Sequence, residues 1–291
     1  MMGSESLDTC ANKAMYAAIH MLWIISAAAQ DCANCHRAIV DKHAATNHAR
    51  TLRPLSDTAF GRALPDRPIG EARGGFLLSY MGTTVRAERG RESAVGEIAW
   101  VLGAGDQGLT PLVKLGSEWL EHRISYYPRA DRFDLTLGHQ PGTSKSAKAA
   151  LGIVQSEATV KSCLGCHGAR PPGLGCESCH VKNAEHFSRP TKLCTECHRN
   201  EGPDDALAIR FQPLRLIKSA CYTKGQIACG SCHPPHTNAV RSDAAFYRSK
   251  CAACHSTEHA NQPADCLPCH MPKSSPAPYL SFTDHWIRKR R

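Results

Sequence analysis

The chain has 291 residues, a formal net charge of +9, 42% hydrophobic but only 6% aromatic residues, and 16 cysteines matched by 16 histidines. That length allows one or two domains and is far from the small disulfide scaffold that so many cysteines would otherwise suggest. The few aromatics leave little bulk for a core built from side chains alone.

The N-terminus reads as an export signal over residues 1–29. Lys13 precedes the apolar run Ala14 to Ala29, which ends in the small residues Ala27-Ala28-Ala29 before Gln30. The run is too short for a confident membrane span; with Glu5 and Asp8 making the leading region acidic, the alternative is an uncleaved N-terminal anchor and membrane association. Cleavage removes Cys10 and His20, so neither belongs to site chemistry. The segment 30–54 follows, with helical composition over Ala33 to Arg50 and a stop before Pro54. Residues 55–160 form a β-rich insert, in which Phe76–Tyr80, Ile98–Leu102 and Arg123–Tyr127 read as strands of a small antiparallel sheet separated by glycine-rich turns. Within it, Gly103-Ala104-Gly105-Asp106-Gln107-Gly108 resembles a dinucleotide fingerprint, but no amphipathic helix follows and it reads as a loop. Residues 161–291 lack long periodic segments and are rich in proline and glycine, as expected of short helices and loops. No second transmembrane segment is visible in the sequence.

Seven copies of Cys-x-x-Cys-His run through this frame. They are Cys32-Cys35-His36, Cys163-Cys166-His167, Cys176-Cys179-His180, Cys194-Cys197-His198, Cys229-Cys232-His233, Cys251-Cys254-His255 and Cys266-Cys269-His270. The first stands alone and the other six crowd into 163–270. This spacing suits covalent haem: two thiols add to two vinyl groups, and the adjacent histidine reaches the iron as proximal ligand. A zinc ribbon also uses Cys-x-x-Cys, but it needs four ligands in total and no histidine after every second cysteine. A disulfide framework leaves the seven histidines unexplained as well. The expected cofactor is therefore seven covalently attached haem c, with the porphyrins supplying much of the apolar core. The expected fold is a mostly α and irregular multihaem cytochrome fold wrapped around stacked haems, with a small β-rich insert.

The haems also remove the nucleic-acid reading of the positive charge. Loss of residues 1–29 leaves about +10; fourteen propionates and seven ferric porphyrins bring the oxidised protein near +3 and the reduced one near −4. The basic residues then pair with propionates, and the tail Arg288-Lys289-Arg290-Arg291 reads as a solvated C-terminus rather than a docking patch.

What each haem does depends on its other axial ligand. Outside the motifs the exported chain has His43, His48, His122, His139, His186, His236, His259 and His285, but only Met81 and Met271, so bis-histidine ligation is expected. Met271 directly follows His270 and cannot reach the opposite face of that haem. Two imidazoles on opposite faces of an iron need Cα atoms roughly 12 Å apart, whereas three extended residues span about 10 Å, so His236 should serve a haem other than that of His233. His43, His48, His186, His236, His259 and His285 are the distal candidates. His122 and His139 lie in the β-rich insert, where a surface or core role is at least as reasonable. If both are excluded, six histidines remain for seven irons. Cys221, the thiol left over, reads as a buried structural cysteine rather than a thiolate ligand.

The stretches from Gly173-Leu174-Gly175-Cys176 to Glu185-His186, Arg210-Phe211-Gln212-Pro213-Leu214 to Ser219-Ala220-Cys221, Cys229 to Pro234-Pro235-His236, and Cys266 to Met271-Pro272 with Thr283-Asp284-His285-Trp286 resemble the multihaem cytochromes with doubled Cys-x-x-Cys-His motifs. These belong with the hydroxylamine oxidoreductase and pentahaem nitrite reductase superfamily. The resemblance is strongest over 163–291 and weaker over 32–50. It implies closely stacked haem pairs and distal roles for His48, His186, His236 and His285. There is no Cys-x-x-Cys-Lys, no eighth motif and no identifiable crosslinking tyrosine, so the catalytic hardware of those enzymes is missing. The expected function is electron transfer by an exported, periplasmic-type protein that works with redox partner proteins. The alternatives are an oxidoreductase acting on a small nitrogen or sulfur compound at one open haem, and an electron conduit assembled as a homo-oligomer or in a larger redox complex.

Overall fold

The computed structural model describes residues 32–71, 75–168, 173–180, 194–198, 206–225, 227–241, 243–255 and 265–289. The export signal, His186 and His259 lie outside the described residues. The chain opens with helix α1 (Ala33–Ala44), which begins within the first motif, is kinked at His36 and buries none of its residues. Strand β1 (Leu52–Arg53) and the short helix α2 (Ala59–Ala63) follow, the latter capped by Thr58, whose hydroxyl accepts from the Gly61 N–H.

A meander then builds up: β2 (Ile69–Gly70), β3 (Leu77–Met81), β4 (Thr84–Arg89), β5 (Glu92–Leu102), β6 (Thr110–Leu115) and β7 (Glu118–His122). After the two-stranded pair β8 (Ile124–Tyr127) and β9 (Arg132–Leu135), helix α3 (Ala147–Leu151) leads into β10 (Gly152–Gln155). The result is an eight-stranded antiparallel sheet in the order β10-β7-β6-β5-β4-β3-β2, with β1 added on β5. Three two-residue turns set its register. Gly82, Gly90 and Gly116 open them at φ +57°, +61° and +61°, while the second residues Thr83, Arg91 and Ser117 stay out of the left-handed region, the type II′ pattern that matches the strand twist. In β5 the buried positions are Gly96 and Ile98, then Val101. The register shift between Ile98 and Trp100 moves the buried face by one residue, as a bulge does.

The main hydrophobic core belongs to this sheet. Phe60, Phe76, Leu78, Val85, Ile98, Leu109, Val113, Leu120, Ala150 and Leu151 are buried together there. Helix α4 (Glu157–His167), capped by Ser156, leaves the sheet and ends in the second motif. Beyond it come short pieces only: α5 (Gln212–Leu216), α6 (Ala220–Gly225), α7 (Cys229–Cys232), α8 (Ala244–Ala252), α9 (Leu267–His270), and the two-stranded pair β11 (Lys273–Ser274) with β12 (Phe282–Thr283). Among the described residues after His167, the buried apolar side chains are Ala208, Ile209, Leu216 and Leu280. Such a segment has too little apolar contact to hold itself together.

The expected fold class, mostly α and irregular with a small β-rich insert, is overturned by the eight-stranded sheet. The sheet is the largest element and carries the core; it is not an insert in a helical protein. The reason is that most of its strands are half-buried and polar on one face. In β4 only Val85 and Ala87 point inward while Arg86, Glu88 and Arg89 face outward, so the run lacks the apolar density by which β3, β5 and β8 were legible. The six-residue glycine-containing loop does lie between antiparallel strands β5 and β6, not in a strand–helix unit.

Candidate haem-binding site

All seven motifs adopt one backbone turn. The histidine N–H donates to the carbonyl of the first cysteine at 2.7 Å for His36, 2.8 Å for His180, 2.9 Å for His198, His233 and His255, and 3.1 Å for His270. The seventh, Cys163 to His167, is the last turn of α4. A helical turn places positions i and i+3 on one face, so both cysteines are presented to the same side with the histidine following. Such a face could serve a two-point covalent attachment, with the histidine beside it as a metal ligand. Cys35 is disulfide-bonded while Cys32 is a free thiol, so attachment at the first motif would require reduction of the Cys35 bond.

The imidazoles are set up as neutral nitrogen donors. His167 Nδ1 donates to the Thr51 carbonyl (3.3 Å), His270 Nδ1 to that of Arg288 (3.0 Å) and His285 Nδ1 to that of Thr283 (2.9 Å). A carbonyl only accepts, so the proton is on Nδ1 and the lone pair on Nε2, the arrangement of metal-binding histidines. Burial is the main cause that lowers the pKa of His48, His167, His198, His233 and His285 below the usual value.

Three motif histidines face a histidine from elsewhere in the chain. His180 stacks on His236 with ring centroids 6.0 Å apart, His198 meets His48 at 6.1 Å, and His233 meets His285 at 6.1 Å. Two imidazoles that each reach one metal ion at about 2 Å have centroids roughly 6 Å apart, so these pairs fit the two axial positions of a haem iron. His236 packs on the histidine of the third motif, not on His233 three residues before it. Among the described residues no three His, Cys, Asp or Glu side chains converge as an all-protein metal site would need. A haem would ask only two imidazoles of the chain, which pairs such as His180–His236 could supply.

No family model, curated protein or solved structure matches the chain.

The motifs also approach one another. Thiols hydrogen-bond between motifs at Cys32 with Cys176, Cys194 with Cys229, and Cys251 with Cys266. His198 lies in electrostatic reach of His167 and His233. Of the other candidates, His43 on α1 feels His48 and His236 after the larger effect of burial, and no motif imidazole among the described residues packs on its ring. His122 is taken up by the sheet: its Nδ1 donates to the Leu151 carbonyl (2.6 Å) and its Nε2 accepts from the Tyr80 hydroxyl (2.8 Å). His139 is buried with Nε2 at 3.3 Å from Glu121.

Several supports were not legible in the sequence. Buried Asp284 accepts two bonds from Arg215 (2.9 Å each), one from Arg288 (3.1 Å) and one from the Trp286 N–H (3.0 Å). Ser219 accepts from the Ile287 N–H and donates to the His285 carbonyl, so the strap carrying His285 is held on both sides. Arg288 thus belongs to this clamp and covers the Trp286 ring at 4.2 Å, not to a solvated tail. The loop 103–108 joins sheet to motif region: Asp106 accepts from Arg241 (2.8 Å) and from Asn47, and Gln107 donates to the Ser281 carbonyl (2.9 Å). Adjacency of Asp284 to His285 is the one signal that could have singled out the clamp, since backbone carbonyl acceptors carry no sequence mark.

Proposed function

We propose that this chain is an exported heptahaem c-type cytochrome that transfers electrons along mostly bis-histidine haems between redox partner proteins. The observation that carries the reading is the set of three His–His pairs, each joining a motif histidine to a histidine from a distant segment at the separation an iron requires. When bound, the haems supply one-electron redox chemistry. The chain's part is to hold, orient and space them: cysteine pairs tether, imidazoles fix the coordination, and the crossed pairs His48–His198, His180–His236 and His233–His285 lock separate segments together. The thiol contacts between motifs support close haem pairs of the kind found in the doubled-motif cytochromes.

A second reading has one observation in its favour. With His122 taken up by the sheet and His139 buried beside Glu121, six candidate distal histidines stand against seven motifs. A haem with an empty sixth position would make the protein an oxidoreductase of a small nitrogen or sulfur compound.

The test is haem counting by mass together with low-temperature electron paramagnetic resonance of the oxidised protein. Seven covalent haems are expected, most of them low-spin. His236→Ala should convert one haem in seven to high-spin without loss of haem, and this change should vanish when Cys176 and Cys179 are both replaced by serine. A chain without covalent haem overturns the proposal; an effect that persists in the Cys176/Cys179 variant overturns the pairing.

A further inference from the structure

The sixth motif ends in His255, and among the described residues its Nε2 faces a sulfur atom. Cys221, on α6, has its Sγ 3.9 Å from that nitrogen. An axial nitrogen at about 2.0 Å and a sulfur at about 2.3 Å on opposite sides of one iron would lie about 4.3 Å apart, a few tenths of an ångström more than this contact. A small outward shift of either side chain would admit an iron between Cys221 and His255. Cys221 is half-buried, not a core cysteine, and lies close enough to Cys251 and Cys232 to act on both electrostatically, behind the larger effect of their burial.

A count over the whole chain points the same way. Six distal histidine candidates leave one iron of seven without a second protein ligand, and Cys221 is the one cysteine of the exported chain outside the motifs. The ordinary alternative, a weak thiol–imidazole hydrogen bond, would explain the distance but not why the leftover thiol faces a motif Nε2.

We propose that Cys221 is the sixth ligand of the haem carried by Cys251, Cys254 and His255, giving this haem His/thiolate ligation in an otherwise bis-histidine chain. This rests on the heptahaem reading above. Coordination exchanges the S–H bond for a sulfur–iron bond, releases the proton to solvent and moves no electron. Thiolate donates more density to iron than imidazole does, so this haem becomes the hardest of the seven to reduce. It then acts as an end point or a barrier on the chain and not as an open catalytic site.

The experiment is electron paramagnetic resonance and near-infrared spectroscopy of the oxidised full-length holoprotein, beside Cys221→Ala and Cys221→Met. Wild type should show one low-spin signal in seven with the compressed g-spread and charge-transfer band of a thiolate-ligated ferric haem. Cys221→Ala should lose it and gain one high-spin haem while retaining seven haems. Cys221→Met should replace it by a His/Met signature at a higher midpoint potential. The wild-type spectrum decides even if a variant misfolds: seven haems without a thiolate signal overturn this proposal and leave the heptahaem reading standing. Absence of covalent haem overturns both.

Discussion

His122 shows how one side chain can be read two ways until its surroundings are known. In the sequence it is a spare histidine in a chain that needs axial ligands. In the fold it is fully buried, bonded through both nitrogens, and burial pushes its pKa down to about 4, so it stays neutral. Unfolded, it would titrate near 6.5. Its contribution to stability is therefore complete above pH 6.5 and declines as pH falls toward 4, by on the order of 3 kcal/mol in all. We expect the midpoint of urea unfolding of the sheet to fall across that window, and His122→Leu to flatten this slope while costing about 2 kcal/mol at pH 7, chiefly from the Tyr80 hydroxyl left without its acceptor, since the Leu151 carbonyl keeps the Arg123 N–H. A pH slope unchanged by His122→Leu would remove His122 as its source. Cys221 is the converse case, since a residue that looked structural is directed at a motif histidine.

Among the elements, the C-terminal strap depends on Asp284. Burial opposes its charge, but hydrogen bonds from Arg215 and Trp286 and the charges of Arg215 and Arg288 hold its carboxyl below the usual range. The stabilisation is present above the unfolded carboxylate pKa of about 4 and is lost as pH drops below it. Asp284→Asn leaves two arginines without a counter-charge, so a loss of about 3 kcal/mol is expected, and the strap should loosen around His285. The check is the spin state: the variant should raise the high-spin fraction by up to one haem in seven, the one facing His285. In the sheet the hairpins depend on glycine. A Cβ at Gly116 would meet nothing within 4 Å, yet φ is +61°, so Gly116→Val should cost about 1–2 kcal/mol by backbone strain alone, measurable as a lower thermal midpoint.

At the scale of the molecule two regions are stabilised differently. The sheet, from β1 to β10, has a core of its own side chains, whereas the motif region has a few buried apolar residues and a set of histidines and thiols. Protein made without haem should thus retain a protease-resistant fragment spanning roughly residues 52–155, with β-type circular dichroism and a cooperative melt, while the motif region is digested. Complete digestion of the haem-free chain would show that the sheet needs the haems to fold.

The thiol and imidazole chemistry of the seven motifs was legible without a fold, because Cys-x-x-Cys-His is written in five consecutive residues that one helical turn suffices to present. The strands at Leu77–Met81, Glu92–Leu102 and Ile124–Tyr127 were legible in part for a similar reason, being dense in apolar or β-branched residues. The extent of the sheet was not, because strands such as Thr84–Arg89 bury one polar-spaced face only against neighbours far along the chain. Which histidine meets which motif, the use of His122 by Tyr80 and Leu151, and the place of Cys221 beside His255 come from long-range packing. Those are contacts between residues tens to over a hundred positions apart, set by how separate segments close on one another, and no local spacing encodes them.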